Sequence, residues 1–247
     1  MHRFIWDVHY DPLPARAGGG GGLSIQAIPR NSAPALTTPW VNPGVYTVKL
    51  TVNGRSVTQP LTVKQDPRVK TAALEMQRVY TLTKAMYDGA VDAQRAAMTL
   101  ADVRQQVAKR RAEAKDALAA ALDAFNERAA ALEGARPGDG GGGRGGRGGG
   151  PPAAQGGGRG ADGAAAPAET LWGLSTAPGS IGALMNSMQA ADVAPTANTL
   201  TAITRAQQQA ARVMGRWTTM RTVEIPALNA KLKAAGLQPI ELNKRES

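Results

Sequence analysis

Hydrophobic and polar positions change their period along this chain, and each change marks an element. Residues 4–10 alternate, with Phe4, Trp6, Val8 and Tyr10 on one side and Ile5, Asp7 and His9 on the other. Period two with aromatic and β-branched residues predicts a half-buried strand. Pro12, Pro14 and the run Gly18–Gly22 end it, and a weaker strand is expected around Leu23–Ile28. A second alternating run sets Tyr46, Val48, Leu50 and Val52 against Thr47, Lys49 and Thr51, and it leads into Asn53-Gly54. Both central positions of a type I′ turn need positive φ, which Asn-Gly tolerates, so a hairpin is expected with Val57, Leu61 and Val63 on the return strand. Pro60 has no amide to donate and should mark a bulge or an edge, and Asp66-Pro67 should close the β region.

From about Val69 the period becomes helical. Leu82, Met86, Ala90, Ala93, Ala97, Leu100, Val103 and Val107 follow steps of three and four, with Gly89 as a weak point inside the run. Leu118, Leu122, Phe125, Ala129 and Leu132 then step 4-3-4-3, a heptad seam. The polar cluster from Lys109 to Lys115 predicts a reversal between the two runs, since one uninterrupted helix would have nothing of its own length to pack against. Residues 134–168 are nearly all Gly, Ala, Pro and Arg, and such a stretch cannot bury enough surface to offset chain entropy, so disorder is expected. Ser180 is placed to cap a short helix carrying Ile181, Leu184, Met185 and Met188. Pro195-Thr196 should open the longest C-terminal helix, with Leu200, Ile203, Gln207, Ala210, Met214 and Trp217 as its inner face. Pro226 predicts a kink or restart, and Gly236 and Pro239 a stop.

Composition adjusts this picture only slightly. Alanine supplies much of the apolar content and aromatics are 4% of the chain, which suits closely packed helices. There is no cysteine, which excludes disulfides, thiolate metal sites and a cysteine nucleophile. The net charge of +10 first suggests an anionic partner, but segment by segment the excess is spread along the chain. No run approaches the about 20 apolar residues of a membrane span. The opening MHRFIWDVHYD has neither the basic nor the long apolar region of a signal peptide and is expected to be the interior of a folded strand.

Candidate chemistry is sparse. Asp7, His9 and Asp11 would share one strand face, yet three ligands in a row on one strand cannot surround an ion, so a polar outer face is the preferred reading. His2 is the only other histidine, and none of the common nucleophile, zinc or phosphate-loop motifs occurs. Glu75, Asp102, Glu113 and Glu127 mix with Lys and Arg as helical surface charges do. Arg144, Arg147 and Arg159 lie in a Gly-rich tract without the aromatics that stack on RNA. Met214 and Trp217 fit a helical core, whereas Trp40 and Trp172 flank loops and are the weak basis for carbohydrate contact. The expectation is therefore no catalytic residue, no bound metal and no cofactor.

Four stretches, FIWDVHY, PGVYTVKLTVNGRSVTQPLTVKQDPRV, APTANTLTAI and EIPALNAKLKAAGL, together resemble the C-terminal region of bacterial BNR/sortilin-like β-propeller proteins, often labelled glycosyl hydrolases. The resemblance covers nearly all of the chain outside residues 134–170, and its motifs are structural ones. His9 departs from the arginine common in that family, and the Gly-rich insertion is long. The resemblance implies an exported parent whose ligand site lies in the propeller, which is not in this chain. It also implies an Ig-like sandwich whose first strands precede the FxWD segment, so that Met1 is expected at an internal start or a fragment edge.

The combined expectation is an α+β, mostly α chain: a partial Ig-like antiparallel β-sandwich (1–66), a helical hairpin (67–133), a disordered Gly/Arg/Pro-rich linker (134–170) and returning helices that complete an antiparallel bundle (171–247). Its expected role is a non-catalytic accessory module supporting or docking a β-propeller. The rivals are a carbohydrate-binding module using Trp6, Tyr46 or Trp40, and a nucleic-acid binder using the Arg-Gly tract.

Overall fold

The computed structural model describes residues 6, 8–11, 13, 38–134 and 172–242. Two strands, β1 (Gly44–Val52) and β2 (Arg55–Val63), form an antiparallel pair. The helices are α1 (Ala73–Glu113), α2 (Asp116–Glu133), α3 (Ala177–Gln189), α4 (Ala197–Thr219) and α5 (Ile225–Ala234), with a π-helical turn, Met220–Glu224, between the last two. The chain is mostly helical with a small antiparallel sheet.

The 41-residue α1 is the spine, about 60 Å long at 1.5 Å per residue. The reversal expected between Lys109 and Lys115 falls at Ala114 and Lys115, which are extended, followed by Asp116 at φ 49°. No single helix then has to match the length of α1. Its C-terminal half (Ala97, Leu100, Val103, Val107) packs on Leu122, Phe125, Ala129 and Leu132 of α2 and on Trp217, Ile225 and Leu232. Its N-terminal half (Val79, Met86, Ala90) packs on Ile181, Met185 and Met188 of α3 and on Ile203. α2 and α3 thus cover the spine in series, and α4, the π turn and α5 run back beside them. Both predicted seams are buried, with Leu82 and Leu118 only partly covered. Gly89 does not interrupt α1.

The junction of α2 and α3 lies at the waist of the bundle and is a backbone pinch. Leu174 N donates to Leu132 O and Ser175 N to Glu133 O, each at 3.0 Å, and Ser175 Oγ donates to Glu133 O at 2.7 Å. A Cβ on Gly173 would lie 2.3 Å from Glu133 O, so only glycine permits this crossing. Beside it, Arg104 pairs with the buried Glu133 and donates to Asn126 Oδ1 at 3.1 Å.

Two helix starts differ in their agreement with expectation. α3 begins at Ala177, three residues before Ser180, because Pro178 occupies the first turn, where a missing amide costs nothing. α4 begins as expected, with the Thr196 side chain accepting from Thr199 N at 3.2 Å. Its buried face, however, is Ile203, Ala206, Gln209, Val213 and Trp217, and Gln207 is exposed. Two apolar tracks about 100° apart were available, and contact with α1 and α3 selects the one through Ala206 and Val213. Before Pro226 the helix widens into the π turn. This restart absorbs the missing amide and the ring's collision with the preceding turn. At the end of α5, Gly236 N bonds Lys233 O and Leu237 N bonds Leu232 O, a Schellman stop.

The β region departs from expectation at its start. Among the described residues of 4–10, Val8 has φ 58°, which breaks extended backbone. Pairing there is limited to an isolated His9–Trp40 bridge, with Tyr10 N bonded to Pro39 O and Val41 N to Val8 O. Trp6, Val8 and Tyr10 therefore do not form one strand face. The hairpin matches expectation: Asn53 and Gly54 have φ 50° and 78°, and the register runs unbroken from Gly44↔Val63 to Val52↔Arg55. Pro60 opposes Thr47 without a bulge, on a strand that is itself an edge. The strand expected at Leu23–Ile28 and the linker from 135 to 170 lie outside the described residues.

Candidate docking surface

The hairpin's two faces differ in chemistry. Tyr46, Val48, Leu50, Val52, Val57 and Leu61 share one face with Gln59 and Arg55, since Tyr46 opposes Leu61, Val48 opposes Gln59, Leu50 opposes Val57 and Val52 opposes Arg55. The other face carries Thr47, Lys49, Thr51, Ser56 and Thr58, with Thr51 and Ser56 hydroxyls bonded at 2.8 Å. An apolar face of this kind is ordinarily turned to a core, yet Val48 is 50% exposed, Leu50 63% and Val57 62%. The helices do not cover it, and both strand edges are open among the described residues. Near the turn, Leu50, Val52 and Val57 with Arg55 and Asn53 line a shallow depression.

What holds the hairpin is its base. Tyr46 Oη donates to Asn42 O, and Asn42 Nδ2 donates to Gln77 Oε1 on α1 at 2.8 Å. Trp6 packs edge-on against Tyr46 at 5.8 Å between ring centroids. Tyr10 and Tyr80 hydroxyls are 2.7 Å apart, and Tyr87 Oη donates to Asp11 O at 2.9 Å. Lys84, paired with Asp88, lies 5.1 Å from the Tyr10 ring centroid and 5.7 Å from that of Tyr87. Burial, reinforced by Tyr80, pushes the Tyr10 phenol well above the ordinary tyrosine range, and burial also raises Tyr46 and Tyr87. Trp40 N donates to Gln189 Oε1 of α3. The base is therefore anchored to α1 and α3 while the turn end projects.

The other sequence candidates fall elsewhere. His9 stacks on Trp40 at 3.6 Å, and Asp11 is exposed. Asp7 and His2 lie outside the described residues. Among the described residues no three His, Cys, Asp or Glu side chains converge as metal ligands would. Glu75 and Asp102 are about 40 Å apart along α1. Trp217 is buried in the helical core beside half-buried Met214. Trp172 is not a free loop aromatic: it packs against both core clusters at the waist. Trp40 is 48% exposed, with one ring face occupied by His9. Arg144, Arg147 and Arg159 are outside the described residues. No helix among the described residues is long and apolar enough to cross a membrane. The exposure of the hairpin was not legible in its alternation, which reads the same for a covered strand.

No protein-family model, no curated protein and no solved structure matches this chain.

Proposed function

We propose that this chain is a non-catalytic accessory module, the C-terminal part of an exported BNR/sortilin-like protein, which supports and docks a β-propeller. In this reading the bundle is a rigid post, and the hairpin is one layer of an Ig-like sandwich completed by another β-sheet. The observation that carries it is the exposed apolar face of a well-formed hairpin fixed at its base to α1. A face of Val, Leu and Tyr beside open edges fits a β-sheet partner, which would bury the face and pair an edge. The resemblance of the hairpin and of EIPALNAKLKAAGL to the propeller family names that partner.

The test is binding of the purified chain to a separately purified BNR/sortilin-type propeller protein by biolayer interferometry. Leu50→Lys and Val57→Lys place charges in the face and should each weaken binding by about tenfold or more, which corresponds to about 1.4 kcal/mol. Equal binding by wild type and both variants, or no binding at all, would overturn the reading. Hydrolytic turnover by the chain, abolished by a point change within it, would overturn its non-catalytic part.

A further inference from the structure

We infer that one flank of α4 is a binding surface for an acidic segment of a partner protein bearing an aliphatic side chain. Across Ala197–Thr219 there is no Asp or Glu, and Arg205, Arg212 and Arg216 are all exposed. They are spaced by seven and then four residues, close to two and then one helical turns, so the guanidinium groups form a row about 16 Å long. Four cations of the bundle are answered on it: Lys84 by Asp88, Arg104 by Glu133, Arg111 by Asp123 and Arg128 by Glu224. Arg205, Arg212 and Arg216 have no ion pair among the described residues. Their charge is therefore available to an incoming anion, and an unneutralised row steers one.

The row ends at a groove. Arg216 stands on the rim of a cavity of about 230 Å³ between α2 and the π turn, with Ala131, Leu132 and Met220 inside it. Arg128, held to Glu224 at 2.7 Å, forms the opposite wall. The widened π turn sets this wall off from regular helix spacing. A row of guanidinium groups running into an apolar notch matches a peptide with several carboxylates and one Leu-like side chain: the carboxylates take the forked donors, the aliphatic group the notch. Nucleic acid fits less well. The only aromatic of α4, Trp217, is buried, so no base can stack along the row. The row starts near Ile203, beside the N-terminal half of α1, and its notch lies toward the C-terminal half; the surface does not depend on the propeller reading.

The experiment is fluorescence anisotropy with three labelled probes: a short Glu-rich peptide containing one Leu, the same peptide with Ser in place of Leu, and a single-stranded RNA of similar charge. The expected result is salt-dependent binding of the Glu/Leu peptide, about tenfold weaker for Arg205→Gln/Arg212→Gln/Arg216→Gln and about threefold weaker for Arg216→Gln alone. A charge-matched variant on the hairpin, Lys49→Gln/Arg55→Gln/Lys64→Gln, should bind like wild type. All six replaced side chains are exposed, and far-UV melting of each variant checks that the fold is kept. No peptide binding, equal loss in both triple variants, no difference between the Leu and Ser peptides, or tighter binding of RNA would each overturn the inference.

Discussion

Replacing Gly173 with alanine should destabilise the bundle, whereas the same change at Gly89 should stabilise it. At Gly173 the new methyl carbon would sit 2.3 Å from Glu133 O, 2.5 Å from Gly134 Cα and 2.7 Å from the Glu133 carbonyl carbon. All three are backbone atoms, so a rotamer change cannot relieve the clash, and the two chain segments must separate. Separation stretches the bonds from Leu174 N, Ser175 N and Ser175 Oγ. At about 1 kcal/mol net for each bond, the loss is about 3 kcal/mol. Gly89 has open space where a Cβ would go and lies inside α1, so alanine there removes backbone entropy from the unfolded chain and adds about 1 kcal/mol. For a chain of this size each kcal/mol moves Tm by about 2–4 °C, giving a fall of about 9 °C for Gly173→Ala and a rise of about 3 °C for Gly89→Ala. Thermal and urea unfolding followed by far-UV circular dichroism would measure both. Shifts of the same sign, or a neutral Gly173→Ala, would refute the pinch as the joint between α2 and α3.

Other consequences follow from the same contacts. Arg104→Ala leaves the Glu133 carboxylate, 6% exposed, without its cation and should cost on the order of 2–3 kcal/mol by urea unfolding, with the larger figures for fully buried pairs discounted because Arg104 is about a third exposed. The Tyr10 and Tyr87 phenols are raised by burial, so above about pH 10 the unfolded chain gives up protons that the folded one keeps. Stability is therefore full below that pH and falls above it; a 295 nm absorbance titration should show late-ionising tyrosines, and Tyr10→Phe should flatten the alkaline fall. Because the Gly134 and Gly173 backbones touch, replacing residues 136–170 with a short Gly-Ser linker shortens the closed loop about fourfold and should raise Tm by about 3–5 °C, whereas a fall would contradict the pinch.

The helical seams were legible because α1 and α2 each bury one stripe, so three-and-four spacing translates directly into burial at Leu100, Val103, Phe125 and Leu132. The Asn53-Gly54 turn was legible because its φ requirement is local. The face of α4 was misread because alanine and glutamine make neighbouring tracks nearly equal, and only contact with α1 and α3 separates Gln207 from Ala206 and Val213. The strand expected at 4–10 is interrupted by the backbone of Val8, which no periodicity encodes. Of the candidate surfaces, the apolar hairpin face could be read from Tyr46, Val48 and Leu50, but its exposure could not. The arginine row on α4 was hidden by counting charge over long segments, where Arg205, Arg212 and Arg216 are averaged with distant acids. The Gly173 pinch joins residues about 40 apart, so no local signal announces it.

The claim on which the functional reading rests is that the hairpin face is the element that meets the propeller. Amide hydrogen exchange of the intact chain, alone and with a purified BNR/sortilin-type propeller protein, tests it directly. In the free chain the outward-facing amides of 44–63 should exchange rapidly, because both edges are open. With the propeller protein they should become protected from Val48 through Val57, and Leu50→Lys should reduce that protection in step with its weaker binding. A hairpin whose exchange is unchanged while protection appears elsewhere on the chain would contradict the account.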